Sequence, residues 1–233
     1  MSTWSVRINR FLRVKPITVI IMKIRKLFFL RVKGLRVLQP EANVVMHQYS
    51  REKLLLGKPT DRILRLLHPL IVIDRLDPPT SRVLMVGCRF EADMLYLLGF
   101  GFNAKNVRGM DLLSYSPWVD LGDMHNTSYA DESWDAVVLG WVLSYSTQQD
   151  VVAREMLRIL KPGGLLAVGV THYPKSKLDE FRTEGNPSID THIQTTSGLL
   201  DLFGDQVGDV YFRHDASSSD RQSPCMIIFA KKG

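Results

Sequence analysis

The spacing of apolar residues changes character near residue 81. From Ser81 onward, short apolar runs of strand length alternate with longer segments whose apolar residues recur at helical spacing. This alternation indicates a parallel sheet with helices on both faces. The pattern predicts helices at 91–99 and 148–160, and strands at 82–87, 106–111, 118–121, 134–140 and 164–171.

The segments on either side of this alternation follow other patterns. After it, 199–203 predicts a helix, and 207–213 and 224–231 predict two strands separated by a polar loop. Before it, residues 41–80 predict a helical lead-in that ends at a Pro-Pro pair and has four apolar residues at helical spacing, namely Ile63, Leu66, Leu67 and Leu70.

One connection in the alternating region is too short for a full helix. Only 11 residues separate Asp111 from Asp123. A complete crossover needs about 12 residues by itself. We therefore expect the second crossover helix to be reduced to a turn around 114–117. The face left open there could be filled by the N-terminal helices.

The first strand and helix of the alternating region have the layout of a nucleotide site. An apolar run ends at Gly87 and opens a helix, and the next run ends at Asp111, 24 positions later. The glycine lets backbone approach a ligand, the helix start supplies free N–H groups, and the carboxylate accepts ribose hydroxyls. The segment 87–91 is called the glycine turn below.

Two later motifs follow in register, GDMHNTSYADESWD at 122–135 and RILKPGG at 158–164. With them, residues 80–172 resemble the class I S-adenosylmethionine-dependent methyltransferases, most closely their small-molecule type 11 branch. The glycine turn departs from that family, because Arg89 and Glu91 stand where glycines are expected, and Met85 stands where a carboxylate often sits. The resemblance implies a Rossmann-like, doubly wound α/β fold. Its mostly parallel seven-stranded sheet would have an antiparallel C-terminal strand.

The resemblance also implies a binding site for S-adenosylmethionine. Asp111 would accept the ribose hydroxyls, Asp123 would accept from the adenine amino group, and the Met124 N–H would meet a ring nitrogen. Trp141 would wall the methionine or serve as a core aromatic. Together with the two departures Arg89 and Glu91, the predicted cofactor-binding residues are Gly87, Cys88, Arg89, Glu91, Asp111, Leu112, Asp123, Met124, His125, Gly140 and Trp141.

Two pairs of residues leave the chemistry open. Arg89 could pair with the cofactor carboxylate while Glu91 accepts from its amino group, or both could brace the turn and cap the following helix. If the acceptor is a hydroxyl, a histidine near a strand end is the expected general base. His172 is preferred for this role and His125 is the second candidate, although a structural role is common for either. No metal site is predicted, because the histidines lack ligand spacing.

Charge divides the chain into an extension and a body. Residues 1–40 carry ten Lys or Arg and no acid, whereas the rest holds 20 basic and 24 acidic residues. We predict a basic amphipathic extension (1–40), the helical lead-in (41–80) and the methyltransferase-like domain (81–233). The extension either lies on an anionic membrane surface or docks on the domain as an ordinary helix. In the first case the residues facing the lipid would be Ile20, Ile24, Leu27 and Phe28.

Composition limits the remaining possibilities. No apolar run is long enough to span a bilayer, and the two cysteines suggest a reduced, cytoplasmic setting, with peripheral membrane contact possible through 1–38. Nucleic acid is not an expected partner. The leading hypothesis is a methyltransferase acting on a small acceptor, such as a saccharide or glycolipid hydroxyl. The rivals are a non-catalytic binding module of the same fold and a nicotinamide-dependent oxidoreductase.

Overall fold

The computed structural model describes residues 9–38, 54, 61–184, 189 and 191–233. The chain folds as two compact units, Met1–Asp123 and Met124–Gly233. The predicted lead-in over 41–80 lies partly outside the described residues, because only Leu54 is described between 39 and 60. Its later part is confirmed by a helix.

Seven strands form one sheet in the order β5-β3-β2-β6-β7-β9-β8, and two short strands, β1 and β4, pair with each other. Within each unit, neighbouring strands of the seven-stranded sheet are parallel except in the pairs β7–β9 and β8–β9. The expected seven-stranded, mostly parallel sheet with its antiparallel C-terminal strand is confirmed. The strands are β1 Arg36–Val37, β2 Val83–Val86, β3 Val107–Asp111, β4 Leu113–Ser114, β5 Val119–Leu121, β6 Trp134–Gly140, β7 Leu160–His172, β8 Val207–His214 and β9 Ser223–Lys231.

The helices agree with the apolar spacing, with one exception. The unpredicted helix is α5, which has no buried residue, so no apolar periodicity reveals it. In contrast, α3 buries seven of its eight residues. The helices are α1 Lys15–Lys33, α2 Leu64–Val72, α3 Ala92–Gly99, α4 Gln149–Ile159, α5 Lys175–Thr183 and α6 Thr196–Phe203, with a 3-10 helix at Arg10–Arg13.

The basic N-terminal segment is packed against the first unit. Pro16 lies in the first turn of α1, where its missing N–H is not needed, and Gly34 ends the helix with a positive φ of 68°. Thr18 and Met22 are buried on the inner face of α1. Before the helix, the Arg13 Nε donates to the carbonyl of Gly99 at 2.8 Å. The inner face of the segment is therefore docked, whereas its outer face, on which the membrane alternative depends, is exposed.

The shortened crossover after Asp111 is also observed. In place of a helix, the chain forms the two-residue strand β4 and a turn, and β4 pairs antiparallel with β1. Arg36 donates to the Ser114 hydroxyl and to the carbonyls of Ser116 and Val119, at 2.9, 2.9 and 3.3 Å. The N-terminal segment thus binds directly to the connection from which the crossover helix is missing.

In the second unit, the motif RILKPGG spans the end of α4 and the irregular start of β7, where the register of the β6–β7 pairing shifts between Trp134 and Ala136. Residues 160–164 are called the LKPGG turn. Gly163 has a φ of 70°, and a Cβ on Gly164 would lie 2.9 Å from the carbonyl oxygen of Lys161. The Arg158 guanidinium binds Glu155 at 2.7 Å and contacts Asp131 and the carbonyl of Tyr129. These residues of the two motifs therefore hold the second unit together.

Candidate functional site

The glycine turn has a backbone shape that glycine favours at two positions. Gly87 has a φ of 67°, and its N–H donates to the carbonyl of Met110 at 2.8 Å. Arg89 has a φ of 47°, in the left-handed region that a side chain disfavours. The turn therefore retains the left-handed conformation without a glycine at 89. Such strain in a short turn is often associated with function.

Asp111 is the residue that joins the turn to the end of β3. Its Oδ2 accepts from the Arg89 N–H at 2.9 Å, and its Oδ1 accepts from the Leu113 N–H at 3.1 Å. A carboxylate has about four lone-pair sites, so Asp111 retains capacity for a further hydrogen bond even with the additional backbone hydrogen bond from Leu112. The structure brings Gly87, Arg89, Asp111 and Leu112 together at one strand end.

Asp123 lies close to this strand end along the neighbouring strand. In the parallel register, Asp111 is paired with Leu121, two residues before Asp123. The Gly122 N–H donates to the carbonyl of Asp111 at 3.2 Å, and a Cβ on Gly122 would collide with Met110. Two carboxylates thus end adjacent strands beside a turn with a positive φ. Two carboxylates in this position can accept hydrogen bonds from the hydroxyl and amino groups of a nucleoside.

The titration of the acids near the turn reflects their burial. Burial raises the pKa of Asp111, and this rise is opposed by the backbone N–H groups of Leu113 and Arg89 and by the Arg89 guanidinium. Burial also raises the pKa of Asp93 to about 8, against the opposing charges of Arg62 and Arg89. Asp93 was not among the predicted residues. An acid in the first turn of a helix after a glycine turn was the signal that could have found it.

The cysteine of the turn packs into the first unit. Cys88 is buried, and burial raises the pKa of its thiol well above the usual range. A Cβ at Gly109 would overlap the Cys88 sulfur, so that sulfur occupies the space a side chain on β3 would need. The side chain is therefore packed in the interior of the first unit.

Glu91 makes its contacts with the N-terminal segment. Its side chain is fully buried, and its two oxygens accept from the Arg25 Nε at 2.6 Å and the Arg25 Nη2 at 3.0 Å. The Ser116 hydroxyl donates to the same carboxylate. These contacts favour the bracing alternative for Glu91 over contact with the cofactor amino group.

The predicted residues of the second unit lie near the ends of β6 and β7. Trp141 follows Gly140 at the end of β6 with a φ of 63°, and its N–H donates to the carbonyl of Gly169 at 2.9 Å. Its side chain is only 4% exposed. The His125 Nε2 lies 2.7 Å from the Ser146 hydroxyl. Met124 precedes it at the start of this unit.

The histidine predicted as base lies at the end of β7, and another histidine lies beside it. The His172 Nε2 is 3.3 Å from the carbonyl of Ser219. His192 donates from Nε2 to the carbonyl of Thr171 at 2.7 Å, and burial lowers its pKa. The Tyr173 ring lies 5.4 Å from the His192 ring. His192 was missed because it comes from an irregular polar segment without periodicity.

Larger features of the described residues complete this picture. No cluster of three or more His, Cys, Asp or Glu that could hold a metal ion occurs among them. Likewise, none of the helices within the described ranges is long and apolar enough to cross a bilayer.

Known proteins with similar sequences and structures support the same interpretation. The family model "Methyltransferase domain" matches residues 84–168. A demethylmenaquinone methyltransferase from Lactobacillus johnsonii is 27% identical over 131 residues, which are 56% of this chain and 49% of the relative. The chain thus spans about half the length of this curated relative.

Two solved structures share the fold at low identity. The CurJ carbon methyltransferase has a TM-score of 0.55 at 10% identity, over 74% of this chain and 54% of that chain. A methyltransferase from Methanosarcina mazei described as S-adenosylmethionine-dependent has a TM-score of 0.50 at 18% identity, over 70% of this chain and 96% of that chain. The match over residues 84–168 and the shared fold together support a class I S-adenosylmethionine-dependent methyltransferase, a family that uses this cofactor as its methyl donor.

Proposed function

We propose that the protein is an enzyme that transfers a methyl group from S-adenosylmethionine to a small acceptor. The observation that carries the proposal is the carboxylate of Asp111, held by the N–H groups of Arg89 and Leu113 beside Gly87. The cofactor supplies an activated methyl group, so the protein has chiefly to bind and align the reactants.

The residues of the first unit divide the binding work in this proposal. Asp111 accepts the ribose hydroxyls, and Asp123 accepts from the adenine amino group. Gly87, Cys88 and Leu112 contribute backbone around the ribose. The Arg89 guanidinium, whose charge acts on both Asp111 and Asp93, binds the cofactor carboxylate.

In the second unit, the proposed roles rest on position at the strand ends. The Met124 N–H donates to an adenine ring nitrogen, and Gly140 and Trp141 lie along the methionine. For a hydroxyl acceptor, His172 is the proposed base and His125 the alternative. Replacing His172 with Gln should lower the methyl-transfer rate, whereas the control His214→Gln should not. Equal rates for both variants would remove His172 from this role.

Titration calorimetry on the wild-type chain tests the proposal. S-adenosylmethionine and its demethylated product should both bind with micromolar dissociation constants, whereas a nicotinamide dinucleotide should not bind. Binding of the dinucleotide alone would favour the oxidoreductase hypothesis. Absence of binding by all three would contradict the proposal and leave a binding module for another ligand. Binding of S-adenosylmethionine without a methylated product from any acceptor tested would favour the non-catalytic module.

The N-terminal helix supports a proposed acceptor and location. On its outer face Ile20, Ile24, Leu27 and Phe28 are 57%, 64%, 58% and 57% exposed. Lys23 and Arg31 are exposed on the same face, within a segment that contains no acid. Apolar side chains among cations suit the surface of an anionic membrane. We accordingly place the protein at the cytoplasmic membrane surface.

A lipid-borne acceptor would be presented at that surface. The first candidate is a hydroxyl on a saccharide or glycolipid. The second is an acceptor of the menaquinone type, because the relative from Lactobacillus johnsonii is named for demethylmenaquinone. Product analysis by mass spectrometry with both acceptor classes distinguishes them.

Cosedimentation with anionic vesicles tests the membrane location. The variant Ile24→Ser/Leu27→Ser/Phe28→Ser should lose binding, because it removes three exposed apolar contacts with lipid. A matched control, Val72→Ser/Val210→Ser/Tyr211→Ser, removes three exposed apolar side chains elsewhere and should bind as the wild type does. Equal binding by the two variants would rule out the proposed surface.

A further inference from the structure

An ion pair joins the N-terminal helix to the last residue of the glycine turn. Arg25, on the inner side of α1, places a two-pronged guanidinium on the fully buried carboxylate of Glu91, at 2.6 and 3.0 Å. The guanidinium also lies 4.1 Å from the centre of the Trp118 ring and 5.0 Å from that of Phe29. A paired, planar and stacked arrangement of this kind suits arginine and not lysine.

Glu91 in turn connects three segments of the first unit. It is the last residue of the glycine turn and comes directly before α3. Its carboxylate accepts from the Ser116 hydroxyl, and its N–H donates to the Tyr115 hydroxyl at 3.4 Å. Tyr115 and Ser116 belong to the shortened connection that follows Asp111. A shift of Glu91 would therefore disturb both ends of the proposed ribose site.

The turn needs an external support because it lacks the family's second glycine. Arg89 holds a left-handed φ of 47°, a conformation that relaxes unless its surroundings maintain it. On one side, the Arg89 N–H is bound to Asp111. On the other side, two residues later, Glu91 is fixed by Arg25. Without Arg25, the buried Glu91 carboxylate would be unpaired and costly to keep buried. It would become protonated or move towards solvent, and the adjoining turn would shift with it.

We propose that Arg25 is a positioning residue for the cofactor site: through Glu91 it holds the glycine turn in its binding conformation. Full affinity for S-adenosylmethionine then requires the docked N-terminal helix. The basic extension is part of the binding apparatus as well as a surface for membrane contact. This inference rests on the proposed assignment of the glycine turn to the cofactor.

The chain offers a matched control in a second arginine of the same segment. Arg13 donates to the carbonyl of Gly99 at 2.8 Å and lies 4.9 Å from the centre of the Phe100 ring. It therefore holds the N-terminal segment against the far end of α3. Arg13→Met and Arg25→Met each remove one arginine anchor of the extension, but only Arg25→Met releases the turn.

Calorimetry with S-adenosylhomocysteine on the full chain tests the inference. We expect Arg25→Met to weaken binding by about tenfold or more, and Arg13→Met to weaken it by less than about twofold. Arg25→Lys, which keeps the charge and loses the fork, should fall between wild type and Arg25→Met. Thermal unfolding without ligand shows whether each variant is folded at the temperature of the titration.

Each outcome bears on a separate claim. Wild-type protein that does not bind the ligand would overturn the cofactor assignment itself. Wild-type binding with equal losses in Arg25→Met and Arg13→Met, or with no loss in Arg25→Met, would overturn the positioning role alone. If Arg25→Met does not fold, Arg25→Lys decides: wild-type affinity in that variant contradicts the inference, and weakened affinity supports it.

Discussion

The glycine turn and the LKPGG turn have different structural requirements. In the LKPGG turn of the second unit, Gly163 has a positive φ and Gly164 has no room for a Cβ. In the glycine turn of the first unit, only Gly87 remains, and Arg89 holds a left-handed conformation against its own preference. Packing enforces glycine in the first case, whereas in the second neighbouring hydrogen bonds maintain the shape.

The difference indicates separate roles for the LKPGG turn and the glycine turn. The LKPGG turn and its Arg158 contacts hold a strand and a helix in place, and they are stability features. The glycine turn holds one strained residue next to two carboxylates, and such strain clusters at ligand sites. One motif can thus match a family closely while another departs from the family's pattern.

The largest expected effect is on the Arg158 cluster of the second unit. Glu155, whose side chain is 10% exposed, has a pKa lowered from 4.5 to about 2, chiefly by its hydrogen bond from Arg158. Arg158→Met should lower the free energy of unfolding by about 3 kcal/mol at pH 7, because it leaves a largely buried carboxylate without its cation. Urea unfolding of the two proteins measures the difference.

The same pair gives this loss a defined pH dependence. Because the folded pKa of Glu155 lies below its unfolded value, the pair stabilises the protein above pH 4.5, and the contribution disappears as the pH falls towards 2. The difference between wild type and Arg158→Met should therefore shrink over that range. A difference independent of pH from 7 down to 3 would show that the ion pair is not its cause.

The next effect comes from adding a methyl group to the LKPGG turn. In Gly164→Ala the new Cβ would lie 2.9 Å from the Lys161 carbonyl oxygen and 3.1 Å from that of Asp135. Backbone atoms cannot easily move aside, so we expect a loss of about 2 kcal/mol in unfolding free energy. Thermal unfolding with Gly204→Ala as a positive-φ control without crowding separates collision from backbone strain.

The smallest expected effect comes from introducing a glycine into the glycine turn. Unlike Gly164→Ala, this change should relieve strain and so favour the folded state. Arg89→Gly removes both the guanidinium and the backbone strain, whereas Arg89→Ala removes only the guanidinium. The glycine variant should therefore be more stable than the alanine variant by about 1 kcal/mol. Urea unfolding of both variants gives the comparison, and equal stabilities would show that the turn is not strained at 89.

Much of the fold could be predicted from the sequence because it depends on apolar burial. The strand at 134–140 was predicted with its observed bounds, and the short connection after Asp111 correctly indicated a missing helix. The helix α5 could not be found because no side chain of it is buried. Periodicity reports only those elements that have an inner face.

The sequence could predict those residues of the candidate site that lie close together along the chain. Gly87 and Asp111 have a fixed sequence spacing, and the structure places both at one strand end. The partner of Glu91 lies 66 residues away in the N-terminal helix, and His192 comes from an irregular segment. Such contacts depend on tertiary packing, so the spacing of residues along the sequence does not predict them.

The contrast between the two turns is tested most directly by removing one carboxylate beside each. The measurement is the dissociation constant of S-adenosylhomocysteine for Asp111→Asn and for Asp135→Asn, whose carboxylate binds Lys161 of the LKPGG turn at 2.6 Å. We predict that Asp111→Asn weakens binding by about tenfold or more, while Asp135→Asn leaves it within about twofold of wild type. Wild-type affinity in a folded Asp111→Asn protein would contradict the assignment of the glycine turn to the cofactor.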